Sequence, residues 1–294
     1  LKTEASTISF YAIGYTILTV LSLICLLPFW LLVFGSFTAE DEILSQGFRL
    51  FPRHFSLEAY HAVFHNSGSI VQAYKITVGV TVIGAFFGLF LTAMAGYVLS
   101  RKDYAYRNLF SFLIYFTTLF SGGLIPWYIL IVSYLHLKDN FFVLIIPSLI
   151  GAWNIILMKN FMKSIPESIT ESAKIDGAGD FTIFMRLILP LSTPGLATIG
   201  LFIALGYWND WFTANLFITT ESKFPLQYLL YKILAAAEFL SHGVVAQTTG
   251  ANMHPPSETL KMAVSVVATG PIIFLYPFVQ RYFVKGLTIG AVKG

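Results

Sequence analysis

Long apolar runs alternate with short polar ones along this chain. No Asp, Glu, Lys or Arg occurs in 5–39, 76–100, 108–137, 140–158, 187–209 or 262–280. Each window approaches or exceeds the ~20 residues with which a helix crosses a hydrocarbon core. Allowing for flanks, they predict spans at about 11–36, 71–99, 109–135, 140–162, 191–219 and 261–281. A further charge-free window, FLSHGVVAQTTGANMHPPS at 239–257, carries Gly, Pro, Gln, Asn and His and reads as a loop. Pro28 and Pro126 lie inside spans, which membrane helices tolerate when neighbours re-satisfy the backbone. The expected fold is an all-α, polytopic membrane protein with six transmembrane helices in a single domain over 1–294.

Composition agrees. Apolar residues make up 56% of the 294, charged residues 11%, and mean hydropathy is +0.73. A soluble chain carries roughly a quarter charged residues. The number of spans excludes a bitopic or secreted protein, and the first span is too long in its apolar core for a signal peptide. Cys25 is the one cysteine, so no intrachain disulfide forms. A net charge of +3 does not point to nucleic acid. With both termini on one side, the segments on that side carry eleven Lys and Arg, against seven on the other. The loop RKDYAYR (101–107) is the clearest case, and such excess marks the cytoplasmic face. Both ends are therefore expected on the cytoplasmic side of the membrane.

Two outer connections are long, 37–70 and 220–260. In the first, FSLEAYHAVF places Leu57, Tyr60 and Phe64 at helical spacing. In the second, LQYLLYKILAAAEFL is a helical patch. His61 and His65 stand four apart, yet the catalytic Glu of H-E-x-x-H and a third ligand are missing, so no metal is expected there.

On the inner side, charge returns in SIPESITESAKIDGAGDFTIFMRLILP, a loop at 164–190. Ser164 and Glu167 have capping-box spacing. Ile165, Ile169 and Ala173 share one face. Gly177 is placed as a left-handed helix end, Asp180 as the N-cap of a second helix. Phe181, Phe184, Met185 and Ile188 then form an apolar stripe. This compact helix-turn-helix suits a cleft on another protein, or it packs only on its own bundle.

The chain has no G-x-x-x-x-G-K-[ST] phosphate loop; GAGDF lacks the Lys and Ser/Thr that phosphate and magnesium need. Within the spans, GYWNDWFTAN (206–215) sets Trp208, Asn209, Asp210 and Trp211 side by side. An acid at membrane depth is functional or paired by default, and flat indole faces beside an amide suit a sugar ring. The same residues read equally as an interfacial aromatic belt. FSGGLIPWY (120–128), which includes Tyr128, loosens a helix where irregular backbone must be buried or face a watery cavity; a packing kink is the alternative. An ion-coupled secondary transporter or channel subunit would need a relay of buried ionisable groups, and Asp210 stands alone. No cluster suited to covalent catalysis occurs.

Glu171-Ser172-Ala173, Asp176-Gly177-Ala178, Phe181, Phe184 and Leu189-Pro190-Leu191 with Pro194 resemble the EAA motif of ABC-importer permease subunits. Ser172 departs from the usual middle Ala. W-N-D-W at 208–211 and Phe224-Pro225 resemble the carbohydrate-uptake group. SGGLIPxY followed by an aliphatic run and L-x-L at 135–137 resembles a narrower branch within it, which includes importers of complex oligosaccharides, among them uronate-containing ones such as alginate or pectin fragments. The resemblance implies a cytoplasmic coupling helix, carried by Glu171, Ser172, Ala173, Asp176, Gly177 and Ala178 and seated in a partner ATPase. It also implies a different, homologous second permease subunit, two ATPase subunits that bind ATP and Mg, and an external solute-binding protein. The chain itself would bind no cofactor and perform no chemistry.

Overall fold

The computed structural model describes residues 2–64, 67–242 and 258–273. Its helices are α1 (Lys2–Ser36), α2 (Glu40–Gln46), α3 (Glu58–Phe64), α4 (Ser67–Ser100), α5 (Arg107–Leu119), α6 (Leu124–Ile129), α7 (Ala152–Met162), α8 (Glu167–Ile175), α9 (Asp180–Ile183), α10 (Leu189–Leu191), α11 (Thr193–Trp208), α12 (Phe212–Phe217) and α13 (Leu226–His242). Residues 258–273 are also helical, and no β-strand occurs among the described residues. The fold is all-α.

Among those residues, Phe10–Ser36 and Ser69–Ser100 are long and apolar enough to cross a membrane as single helices. Three further crossings exist if bent pairs each count as one: Arg107–Leu119 with Leu124–Tyr134 (111°), Phe141–Ser148 with Ala152–Met162 (49°) and Asp180–Leu191 with Thr193–Trp208 (85°). The first bend falls at Ser121-Gly122-Gly123, where loosening was expected; Gly123 has φ 85°, which a side chain would resist. The second arises because the 140–162 run opens with two 3₁₀ turns around Pro147 before α7 begins. The 191–219 run is interrupted at Asn209–Trp211 before α12. The expected 261–281 span is helical to residue 273, and the rest lies outside the described residues.

The chain divides into two units. The first comprises 1–67 and 230–271. Here α1 exposes Phe10, Leu18, Leu26 and their neighbours almost throughout, as a lipid- or subunit-facing helix does. Its end is anchored by Trp30 Nε1, which donates to the Leu50 carbonyl (2.9 Å), and by Ser36 Oγ against Tyr60 (2.8 Å). Buried Glu42 accepts from the backbone N–H of His54 (2.9 Å) and Arg53 (3.2 Å), bonds that lower its pKa, His54 foremost. The expected helix at 57–64 forms as α3, but its buried residues are Ala59 and Val63, while Leu57 and Phe64 stay exposed. Phe37 stacks on Tyr60 of this helix and on Phe55, which itself stays exposed.

The second unit comprises 68–229 and 272–294. Its described core is built on Ala93, Val143, Met158, Ile183, Ala214 and Phe217, all fully buried. The four-residue series Gly84, Gly88, Thr92 and Gly96 lets α4 approach its neighbours closely, as small residues do between membrane helices. A Cβ on Gly84 would lie 2.5 Å from the Tyr207 ring, and one on Gly96 2.7 Å from Met158 Cγ and 3.1 Å from the Lys159 backbone nitrogen. Gly96→Val is expected to cost about 1–3 kcal/mol by overpacking. Thermal unfolding of the purified chain should show a lowered midpoint, and an unchanged one would mean that α4 and α7 are not held this close.

At one end of this unit Asp139 binds the segment that follows α12. Its carboxylate accepts from Thr219 and Thr220 N–H (3.0 Å each), Thr220 Oγ1 (2.6 Å) and Lys223 Nζ (3.0 Å). These bonds, the Thr220 hydroxyl first, hold its carboxyl well below the usual carboxylate range.

Candidate functional site

The charged loop folds as the sequence suggests in its middle and differently at its ends. Helix α8 closes with a Schellman turn: Gly177 at φ 82° donates to Lys174 O (3.0 Å), and Ala178 N–H reaches Ala173 O (2.9 Å). The capping box does not form. Pro166 is the N-cap, Ser164 Oγ donates back to Phe161 O (2.6 Å), and Glu167 pairs with Lys102 Nζ (2.5 Å). Nor does Asp180 cap the next helix; it is the first residue of α9 and its carboxylate is taken by Arg101. The apolar stripe is split by a π-helical turn at Phe184–Ile188. Phe184 and Ile188 are buried, whereas Phe181 and Met185 are exposed.

Of the six residues assigned to coupling, Ala173 and Ala178 pack against the core. Glu171, Ser172, Asp176 and Gly177 are exposed, and so is Ile175, at 87%. Thus α8 has an inner face of small residues and an outer face that combines charge with one uncovered aliphatic side chain.

What holds this face in place was not read from the sequence. Arg101 forks onto both Asp103 oxygens (Nε to Oδ1, 2.8 Å), donates to Asp180, and reaches the Tyr97 hydroxyl (3.2 Å) while lying 5.5 Å from that ring's centroid. Tyr97 stacks on Phe184 (5.4 Å). Lys174, from α8, closes the circuit on Asp103 (2.6 Å) and stands 4.0 Å from Asp180. The Arg101 guanidinium, with Lys174 beside it, holds the Asp103 carboxyl well below its ordinary value, and Asp103 in turn raises that of Arg101. Helix α4 is thereby tied to both helices of the loop. The available signal was the run Arg101-Lys102-Asp103, opposite in charge to Asp180 and Glu167.

The second set of candidate residues is spread out. Trp208 is buried, 6.4 Å from the Tyr74 ring. Asn209 is exposed and folds its amide back to Leu205 O (3.0 Å). Asp210 Oδ1 accepts from Thr213 N–H (3.0 Å), supporting the start of α12. Trp211 is exposed, at 38%. Tyr128 is half-buried and stacks on Phe217 (5.5 Å).

Residues 84–289 match the family described as "Binding-protein-dependent transport system inner membrane component". The chain belongs to that family. It is a permease subunit, a transport component and not an enzyme. It is 44% identical over 280 residues to the polygalacturonan/rhamnogalacturonan transport system permease protein YtcP of Bacillus subtilis, covering 95% of this permease and 96% of that protein. Protein LplC of the same organism is 41% identical over 272 residues (92% and 90%). A chain in the crystal structure of a bacterial ABC transporter involved in the import of the acidic polysaccharide alginate superposes with a TM-score of 0.77 at 33% identity, covering 95% of this permease and 98% of that chain. The family makes the permease a bacterial inner-membrane protein that works with a second permease and a solute-binding protein.

Proposed function

We propose that this permease forms, with its second permease subunit, the membrane path for a uronate-containing oligosaccharide delivered by a solute-binding protein. Two ATPase subunits, which carry ATP and Mg, would drive it through α8. In this reading the chain makes the six crossings listed from its sequence, loop 164–190 and both termini are cytoplasmic, and 37–70 and 220–260 face outward. The observation that carries the function is the face of α8: a Schellman-ended helix, tied to α4 through Lys174, Asp103 and Arg101 and leaving Ile175 uncovered. Such a helix transmits rigid-body motion because both of its ends are defined. The uronate assignment rests on two of the similar proteins, the polygalacturonan/rhamnogalacturonan permease YtcP and the importer of the acidic polysaccharide alginate.

A carboxylate lining the path would repel such a sugar. Asp210 is instead occupied by Thr213 N–H in a crevice lined by Thr77, Tyr207 and Pro225. In the proposed path Trp211 and Asn209 meet the sugar, while Trp208, Asp210 and Tyr128 shape the wall behind them. The test is substrate-stimulated ATP hydrolysis by the reconstituted importer. Oligogalacturonate-loaded binding protein should stimulate it more than a neutral oligosaccharide of equal length. Asn209→Ala with Trp211→Ala should lower that stimulation at least threefold, the scale of a lost stacking contact of roughly 1 kcal/mol. Equal stimulation by both sugars would remove the uronate assignment, and an unaffected double variant would return both residues to the aromatic belt.

A further inference from the structure

Where Arg101 meets the loop that carries α8, the second unit holds a cavity of about 700 Å³ whose lining is strongly basic. Arg101, Lys102, Arg107, Lys159, Lys163 and Lys174 line it, against Asp103, Glu167 and Glu171. Asp103 and Glu167 are committed to Arg101, Lys174 and Lys102. Among the described residues, Arg107, Lys159 and Lys163 have no carboxylate partner. Lys159 Nζ donates to Ser111 Oγ (2.6 Å), an Arg107 nitrogen donates to the Arg101 carbonyl (3.4 Å), and Lys163 and Arg107 both act electrostatically on the Lys159 ammonium. Glu171, the remaining carboxylate of the lining, makes no ion pair with them, so among the described residues these three neighbouring cations make a site for an anion.

Next to it runs a second hollow of about 190 Å³ between α5 and α7, lined by Leu99, Ile114, Tyr115, Ile155 and Ile156 along with Lys159 and Ser111. Leu99 and Lys159 line both spaces. A basic chamber at a helix end that continues into an apolar groove matches a molecule with an anionic head and a hydrocarbon tail, not a free anion. Basic pockets between membrane helices on the cytoplasmic side take such headgroups.

We infer that Arg107, Lys159 and Lys163 hold the phosphodiester of an anionic phospholipid whose acyl chain lies in the α5–α7 groove. The cytoplasmic placement rests on the orientation proposed above. The binding chemistry does not, and a lipid there would brace the α7 end against the loop that carries α8.

The test uses the importer purified with its co-expressed subunits, incubated with equal amounts of phosphatidylglycerol and phosphatidylcholine and read by native mass spectrometry. The wild type should retain phosphatidylglycerol selectively. Arg107→Gln with Lys163→Gln should cut that selectivity about 30-fold, the scale for two cations near a lipid surface. Lys159 is left intact because it also braces Ser111. Ile114→Trp, which fills the groove and keeps every cation, should also weaken retention. Glycerol 3-phosphate, a headgroup without a tail, should not displace the lipid at equal concentration. The inference is overturned if the double variant keeps wild-type selectivity or if glycerol 3-phosphate competes equally, which would assign the cavity to a soluble phosphate. It is overturned too if no lipid is retained and the double variant sheds the second permease, which would place an acidic protein segment there. The same spectra report whether an ATPase accompanies the chain, so failure of the lipid site and failure of the proposed function are read separately.

Discussion

A Gly177→Pro chain is expected to insert and fold its long helices, yet to lose on purification the ATPase that the proposed function seats on α8. Gly177 sits at φ 82° and donates its N–H to Lys174 O. Proline is locked near φ −65° and has no N–H, so both the turn and the bond are lost, at about 3 kcal/mol. That is a factor of more than 100 in the population of the competent loop. The end of α8 would unwind where Asp176, Gly177 and Ala178 present themselves. Gly177→Asn, which tolerates the left-handed region, should retain most of the partner, and Gly177→Ala should fall between. Co-purification measured on all three gives a graded series. If the proline variant retains the ATPase at wild-type level, the grip lies elsewhere.

Arg101→Gln should leave the ATPase bound but disconnect it from transport. Only 13% of the Arg101 side chain is exposed, and it satisfies Asp103, Asp180 and Tyr97 together. Without its charge, Asp103 and Asp180 would share Lys174 alone. Hydrogen bonds to charged groups contribute about 1.5–3 kcal/mol. Because both carboxylates are half-exposed or more, a discounted figure of about 1–2 kcal/mol is appropriate. The number of substrates moved per ATP should fall roughly 5- to 30-fold while basal hydrolysis persists. The Asp103 carboxyl is lowered by Arg101 and then Lys174. A lowered carboxylate contributes its stabilisation above its unfolded value near ~4 and loses it only as pH falls through the folded one. Transport per ATP should therefore stay flat from pH 5 to 8 in the wild type. A tenfold fall within that window, or an Arg101→Gln importer with full stoichiometry, would refute the clamp.

Much of the fold was legible because a bilayer leaves few options: stretches without charge become helices, and the helical content followed. The Gly177 turn was legible as well, since few residues other than glycine adopt that backbone angle. Three features were not. The capping box at Ser164 failed because a side chain chooses among partners that only the tertiary structure supplies; Glu167 met Lys102, 65 residues away. The Arg101 hub joins residues 79 apart in sequence, and pattern along one helix carries no information about such pairs. The inward turn of Ala59 and Val63 could not be told from spacing, because Leu57, Tyr60 and Phe64 recur with a helical period as well, yet Leu57 and Phe64 stay exposed. Of the proposed path, the residue types were legible and their directions were not. Trp208 and Trp211 look alike in sequence, and one is buried while the other is exposed.

Glu40 accepts from the backbone N–H of Glu258 and Thr259 and from the Thr259 hydroxyl (2.6 Å), at the point where the helical stretch 258–273 begins. The partners are separated by 219 positions. A ribosome adding about 5–20 residues per second needs roughly 10–45 s to make that stretch. Until then these three bonds cannot form, so the start of α2 and the start of the 258–273 helix are joined only after every residue between them has been made.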